Sequence, residues 1–169
     1  QIDYLIINHM TKLGNLVVGR KNEITIMGIL NTSPESFYKN SVKFTKSQIS
    51  KSLIEMEENG ANIIDIGGMS TAPYLKSIVS EKVESKRVTN AIKIIQNLSN
   101  IPISVDTCRA SVANDALELG VDVINDISGL KYDKNMPKII EKYTPSVILC
   151  SYGKKLVKGN SILETKKFL

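Results

Sequence analysis

The chain has 169 residues, of which 42% are hydrophobic and 23% charged, as in one ordinary globular domain. No apolar run approaches the roughly 20 residues that cross a bilayer, and no signal-like core begins the chain, so we expect a cytoplasmic protein with no membrane partner. Its net charge of +5 comes from scattered Lys and Arg, which argues against a nucleic-acid partner.

The residues that most often bind zinc are few in this sequence. Cys108 and Cys150 lie far apart and outside any Cys-x-x-Cys spacing, so we expect two reduced thiols. His9 is the single histidine and lies away from the polar clusters described below. We therefore expect no zinc site and no catalytic role for His9.

The first 22 residues predict an N-terminal β-hairpin. Its strands are expected at residues 4–7 and 16–18, around a glycine-containing turn at residues 11–15. From residue 23 to residue 169, short apolar strands alternate with amphipathic helices. This alternation predicts a second unit with a parallel β/α architecture.

Five buried strands are predicted in this second unit, at residues 24–30, 63–66, 103–105, 123–127 and 147–150. Helices are expected after a capping box at Thr45 and Gln48, after a cap at Ser80, and over residues 110–119, 136–143 and 161–169. Periodicity alone leaves two architectures open, a doubly wound sheet and an eight-stranded barrel. No G-x-G-x-x-G sequence follows the first strand, which argues against a doubly wound sheet that binds a dinucleotide.

Polar side chains fall at the carboxyl ends of the first four of these strands. They are Asn31, Asp65, Asp106, Asn125 and Asp126. Ligands bind at this edge of parallel α/β proteins, so the pattern predicts a shared pocket. The alternative for each residue is a local one, in which it caps the next helix or bonds to neighbouring backbone.

Four segments resemble the motifs of dihydropteroate synthases, in the same order and spacing. They are IMGILNTSPESF at 26–37, GANIIDIGGMST at 60–71, PISVDT at 102–107 and INDISG at 124–129. The resemblance implies a pterin-binding (β/α)8 TIM barrel, of which this chain holds about the first five β/α units. It also implies condensation of 6-hydroxymethyl-7,8-dihydropterin diphosphate with 4-aminobenzoate, giving 7,8-dihydropteroate and diphosphate.

The resemblance implies that Asp106 and Asn125 bind the pterin. A pterin presents an amino group beside a ring N–H, and an ionised carboxylate can accept from both. Asn125 offers a donor and an acceptor for the remaining mixed edge. The local alternatives are that Asp106 caps the helix starting near Ala110 and that Asn125 bonds to backbone.

The diphosphate and its metal are assigned by the same resemblance. It implies that Ser70 and Thr71 hold the diphosphate and that Asn31 contacts Mg²⁺. Gly67 and Gly68 precede them, in a loop of small residues where backbone can approach a phosphate closely. Without the resemblance, such a loop is more often a simple turn.

The loop over residues 32–43 resembles the mobile first loop of these enzymes. Glu35 stands where the family usually has aspartate, and the resemblance implies catalytic roles for Glu35 and Asp106. In the family, diphosphate leaves first and the amine then attacks a cationic pterin, which an acidic side chain stabilises. The alternative is a solvated turn in which Glu35 begins a helix.

The sequence also departs from the family pattern. Ala72 replaces an arginine that commonly follows the serine-threonine pair, and Cys150 with Ser151 replaces a methionine-histidine pair. The later family motifs are absent, so we expect residues 1–169 alone to be inactive.

Two rival functions stay open. One is a pterin-dependent methyltransferase acting on methyltetrahydrofolate or methyltetrahydromethanopterin, and the other is a catalytically idle pterin-binding protein. The sequence leaves open whether the aryl amine is 4-aminobenzoate or an analogue. It also leaves open the oligomeric state, with a homodimer among the alternatives.

Overall fold

The computed structural model describes residues 11–19, 24–33, 45–69 and 79–150. Strands β1 (Thr11–Leu13) and β2 (Leu16–Val18) pair antiparallel around Gly14, whose φ of 60° favours glycine. The prediction of a turn over residues 11–15 is wrong for residues 11–13, since a two-residue loop is enough to reverse an antiparallel pair. The expected strand at residues 4–7 lies outside the described residues.

Five further strands form one parallel sheet. They are β3 (Met27–Asn31), β4 (Ile63–Gly67), β5 (Ile103–Asp106), β6 (Val123–Asp126) and β7 (Ser146–Leu149). Their spatial order is their chain order, and every neighbouring pair is parallel. A doubly wound sheet reverses its strand order at a switch point, so this sequential order excludes that alternative and is the order of a β/α barrel wall.

The start of β3 differs from the prediction. The strand was expected from residue 24, yet Ile24 is 89% exposed and the ladder begins with Met27 paired to Ile63. The partner strand begins only at Ile63, so the residues before Met27 have no parallel neighbour. Instead, Ile26 N donates to Asn62 Oδ1 at 2.8 Å, which closes the start of the ladder.

Among the described residues, four helices lie in the connections between the strands of this sheet. They are α1 (Lys46–Glu58), α2 (Glu81–Gln96), α3 (Ala110–Glu118) and α4 (Met136–Tyr143). The predicted capping box of Thr45 and Gln48 begins α1, and the predicted cap Ser80 begins α2. The expected helix at 161–169 lies outside the described residues. Across the described ranges, no helix is long and apolar enough to cross a membrane.

The helices pack on one face of the sheet as a single layer, because α1 contacts α2, α2 contacts α3 and α3 contacts α4. The sheet contributes six buried apolar side chains to the core on this face, namely Leu30, Ile64, Ile66, Ile103, Val105 and Ile124. Side chains alternate along a strand, so the residues between them lie on the opposite face. That second face carries Asp65 and Ser104, and it corresponds to the interior of a barrel.

The β1–β2 hairpin lies at the amino ends of the last two strands. Gly14 N donates to Ser146 Oγ at 3.0 Å, and a Cβ on Gly14 would lie 2.7 Å from the Cβ of Asp122. The hairpin is therefore far from the carboxyl ends, where the polar residues were noted. The division of the chain at residue 22 stays a prediction.

Candidate functional site

One row of residues crosses the sheet at the carboxyl ends of its strands. Asn31 is the register partner of Gly67, Gly67 of Asp106, and Asp106 of Asn125. Neighbouring strands lie about 4.8 Å apart, so these positions line one edge of one face. The structure therefore brings together the predicted positions Asn31, Asp106 and Asn125, while the roles assigned to them stay predictions.

Gly67 lets the side chain of Asn31 lie across the end of β4. A Cβ at position 67 would come within 2.9 Å of Asn31 Oδ1, closer than real Cβ atoms approach. Thr32 fixes the same junction, because its backbone N and its Oγ1 both donate to Gly67 O, at 2.8 and 2.9 Å. The amide of Asn31 is thereby held at the rim of the sheet.

Asp65 is one of the polar residues from which the sequence predicted a shared pocket, although no individual role was predicted for it. It lies on β4, one inward-facing position below the strand-end row, and is 5% exposed. Asn125 Nδ2 donates to Asp65 Oδ2 at 3.1 Å, rather than to the neighbouring backbone as the local alternative required. Asp65, Asp106 and Asn125 thus form a carboxylate–amide cluster on the inner face.

Three buried polar atoms of this face have no hydrogen-bond partner among the described residues. They are Asp65 Oδ1, Asp106 Oδ1 and Ser104 Oγ. More than about nine in ten buried polar groups in proteins are hydrogen-bonded, and leaving one unbonded costs about 1–3 kcal/mol. Three such atoms on one face make that face a candidate surface for the polar groups of a ligand.

Asp106 does not cap the following helix, which excludes its local alternative. Thr107 Oγ1 accepts from Arg109 N at 3.2 Å, and Asp133 Oδ2 accepts from Ala110 N at 2.9 Å. These two side chains accept from two of the backbone donors at the start of α3, and Asp106 accepts from neither of them. Asp106 Oδ1 consequently remains available on the inner face.

The environment of Asp106 raises its pKa from 3.8 to about 7. Burial is the largest cause, and the negative charges of Asp65, Glu84 and Asp126 add to it. The carboxyl group therefore exchanges its proton near neutral pH in the unliganded protein. A ligand that presents two N–H donors would favour the ionised form and lower this pKa again.

Asp126 is also buried, but it faces the helix layer and is fully bonded. Its two oxygens accept from Ser128 N at 2.7 Å and Leu130 N at 3.1 Å, which fixes the loop after β6. Burial, with a smaller contribution from Asp126, raises the pKa of Cys108 to about 12. Cys108 and Cys150 are free thiols, and Cys108 is too weakly acidic to act as a thiolate nucleophile.

Several predicted positions lie outside the described residues. These are Glu35, Ser70 and Thr71, together with Ala72. Among the residues that the structure does describe, no three His, Cys, Asp or Glu side chains are grouped to hold a metal ion. The amide oxygen of Asn31 is compatible with Mg²⁺, which takes one or two protein oxygens and completes its shell with water and substrate phosphates.

The family model described as "Pterin binding enzyme" matches residues 27–166. A dihydropteroate synthase of Clostridium beijerinckii is 45% identical over 133 residues, which is 78% of this chain and 49% of the relative. The chain thus spans about half the length of the curated relatives that it matches.

Solved structures of dihydropteroate synthases share the same fold. The enzyme from Clostridium difficile, determined in the presence of pteroic acid, superposes with a TM-score of 0.75 at 36% identity, over 94% of this chain and 58% of that one. The Yersinia pestis enzyme in complex with a sulfonamide drug gives a TM-score of 0.78 at 26% identity, over 95% and 59% of the two chains. These matches confirm the predicted fold class of a β/α barrel, represented in the described part of this chain by five consecutive strands.

Proposed function

This chain belongs to the pterin binding enzyme family, and we propose that its activity is that of a dihydropteroate synthase. The reaction joins 6-hydroxymethyl-7,8-dihydropterin diphosphate to 4-aminobenzoate and releases diphosphate. One observation carries the proposal, namely the carboxylate–amide cluster with two unbonded carboxylate oxygens at the carboxyl ends of the strands. The similarity of the chain to dihydropteroate synthases supports it.

In this proposal the cluster recognises the pterin by its hydrogen-bonding edge. Asp106 accepts from the amino group and the adjacent ring N–H, and Asp65 supplies a second acceptor one position deeper. Asn125 already donates to Asp65 Oδ2, which leaves its side-chain oxygen for the ring. Charge-assisted bonds of this kind are about twice as strong as neutral ones, so the cluster would both bind and orient the ring.

The diphosphate end of the substrate would lie toward Asn31 and the loop that begins at Gly67. Ser70 and Thr71 are proposed to donate their hydroxyl protons to phosphate oxygens. Asn31 is proposed to hold Mg²⁺ through its amide oxygen. When bound, the ion would neutralise negative charge on the departing diphosphate.

The chemistry exchanges one bond at the pterin methylene carbon. The C–O bond to diphosphate breaks and its electron pair leaves with the phosphate oxygen. The amine nitrogen of 4-aminobenzoate then forms the new C–N bond and loses one proton. Glu35 is proposed to face the cationic pterin between these two events and to stabilise its charge.

The names of the similar structures are compatible with these substrates. Pteroic acid, named with the Clostridium difficile structure, joins a pterin to an aminobenzoate, which are the two halves that the reaction would unite. The aryl amine is 4-aminobenzoate or an analogue of it. A homodimer and a cytoplasmic location stay predictions.

The proposed activity is tested with the complete native protein, pterin diphosphate and 4-aminobenzoate. We expect dihydropteroate and diphosphate in equal amounts, with turnover that requires a divalent cation. The Asn125→Ala variant should lower kcat/KM for pterin diphosphate by about tenfold or more, since it removes a buried hydrogen-bonding group. The matched control Asn114→Ala, at an amide of α3 that contacts Glu118 and Tyr143 in the helix layer, should leave it unchanged.

Two results would contradict the synthase assignment. Methyl transfer from methyltetrahydrofolate to cobalamin, without release of diphosphate from pterin diphosphate, would indicate the methyltransferase. Binding of pterin diphosphate with no turnover under any metal condition would indicate an idle pterin-binding protein.

A further inference from the structure

We propose that Glu84, on α2, is a positioning residue that fixes the pterin-binding end of β5 and the start of the diphosphate loop relative to each other. It touches neither substrate and acts through Thr107, Arg109 and Gly68. This role rests on the proposed function, because it concerns the placement of the residues assigned there to pterin and diphosphate.

Glu84 is buried and both of its carboxylate oxygens are bonded to the segment that follows Asp106. Thr107 Oγ1 donates to Glu84 Oε1 at 2.7 Å, and Arg109 NH1 donates to Oε2 at 2.6 Å. Glu84 is 1% exposed and Arg109 is 6% exposed. Thr107 is the immediate neighbour of Asp106, so the carboxylate of Glu84 holds the chain directly beyond the proposed pterin ligand.

The same turn of α2 also contacts the end of β4. A Cβ on Gly68 would lie 2.9 Å from Glu84 Cγ, 3.0 Å from Glu84 O and 2.7 Å from Val88 Cγ2. Arg87 NH1 donates to Gly68 O at 3.2 Å. Because Gly68 has no side chain, the helix approaches the backbone only two residues before Ser70.

A buried ion pair is a weak source of stability, since apolar residues of similar size often replace one without loss. It does impose a geometry, because a charged group that leaves its partner stays buried and unpaired. An ion pair of this kind, here between Glu84 and Arg109, is therefore suited to holding neighbouring segments in one fixed arrangement. The two segments it fixes are those that would bind the two ends of one substrate.

The pair also contributes to the electrostatics of the inner face. The carboxylates of Asp65, Glu84 and Asp126 all raise the pKa of Asp106, and Arg109 is the cation paired with one of them. The Glu84→Gln substitution removes one of these negative charges and leaves Arg109 without its counter-charge. Both changes lower the pKa of Asp106 toward its ordinary value.

The test compares Glu84→Gln with Glu81→Gln in the complete native protein. Glu81 lies on the same helix and accepts from Ser111 Oγ at 2.7 Å, so it also ties α2 to α3, but on the exposed surface. Both variants keep the shape of the side chain and remove one charge. Their KM values for pterin diphosphate and for 4-aminobenzoate, and the pH dependence of kcat/KM, are measured well below the unfolding temperature.

We expect Glu84→Gln to raise KM for pterin diphosphate by about tenfold or more and to leave KM for 4-aminobenzoate unchanged, because a shifted binding group costs affinity for the ligand it meets. The acid limb of the pH profile should move to lower pH. Glu81→Gln should change neither quantity. If Glu84→Gln does not fold, Arg109→Lys keeps the charge but loses the planar donor fork, and it should show a smaller rise in the same KM.

A folded Glu84→Gln protein with a lower Tm but unchanged KM and pH profile would overturn the positioning role and leave the proposed function intact. The same holds for a folded Arg109→Lys protein with an unchanged KM. A parent protein that neither binds nor turns over pterin diphosphate would overturn both.

Discussion

The helix side and the inner side of the sheet each contain buried acids, and they differ in how those acids are bonded. On the helix side, Asp126 accepts from two backbone N–H groups, and Glu84 accepts from Thr107 and Arg109. On the inner side, Asp65 and Asp106 each keep one buried oxygen with no partner among the described residues. Asp106 is only partly buried as a residue, but its unbonded Oδ1 is buried, and the other three acids are nearly inaccessible. Bonding is therefore the feature that most clearly distinguishes the two pairs.

We interpret the difference as one between acids that hold the fold and acids that are proposed to bind a ligand. A fully bonded carboxylate stabilises the loop or helix that donates to it, and its loss is felt in folding. An acid with an unbonded buried oxygen costs stability, and such a cost is commonly retained at functional sites. The contrast therefore predicts opposite effects of removing charge on the two sides of the sheet.

The largest expected effect is on pterin binding through Asp106. Asp106→Asn replaces one acceptor oxygen by a donor and removes the charge, so one of the two pterin N–H groups loses its partner. The lost charge-assisted bond is worth about 1.5–3 kcal/mol, and the other bond falls to about half its strength without the charge, so we expect a loss of about 40- to 1,600-fold in affinity. Isothermal titration with pterin diphosphate measures it, and an affinity within threefold of the parent would remove Asp106 from the site.

A somewhat smaller effect, and on stability, is expected from Asp126. Asp126→Ala leaves Ser128 N and Leu130 N without their acceptor and should lower the free energy of unfolding by about 3 kcal/mol. Asp126→Asn keeps one acceptor oxygen and should fall between the parent and the alanine variant. Urea denaturation measures both, and an alanine variant as stable as the parent would show that these bonds do not hold the loop.

The smallest expected effect is a pH-dependent gain in stability from Asp106→Asn. The folded-state pKa is raised from 3.8 to about 7, so the stabilising contribution of this acid is complete below about pH 4 and is lost as pH rises through about 7. An asparagine at this position does not ionise, so the variant does not lose this contribution to stability as the pH rises. From about pH 5 to about pH 8, unliganded Asp106→Asn should therefore gain about 2 kcal/mol of unfolding free energy relative to the parent.

The check is urea denaturation of the parent and of Asp106→Asn at both pH values, without ligand. Other titrating groups are common to both proteins and cancel in the comparison. A difference that does not change with pH would mean that Asp106 ionises in the folded protein as it does in the unfolded chain.

The row of residues at the strand ends could be predicted from the sequence because that prediction needs few assumptions. Apolar runs that end in Asn31, Asp106 and Asn125 predict parallel strands, and the carboxyl ends of such strands share an edge. The resemblance to a known family then selected Asp106 and Asn125 as the pterin ligands. The register of the sheet places these positions side by side, as the shared pocket required.

The contacts of Asp65 and Glu84 could not be predicted in this way, because they join residues that are far apart in the sequence. Asp65 lies inside an apolar strand, and its contact with Asn125 depends on which face each residue occupies and on the register of two intervening ladders. Glu84 stands four residues before Val88 and so continues the buried stripe of α2, which is a signal that the sequence analysis did not use. Its partner Arg109 is 25 residues away in the chain, so the pairing itself needed the fold.

The most direct test of the account is a crystal structure of the complete native protein with pterin diphosphate bound. We expect the amino group and ring N–H of the pterin to lie within about 3.2 Å of the two carboxylate oxygens of Asp106, with Asp65 and the amide of Asn125 beside the ring. A pterin bound elsewhere, with ordered water on both of those oxygens, would contradict it.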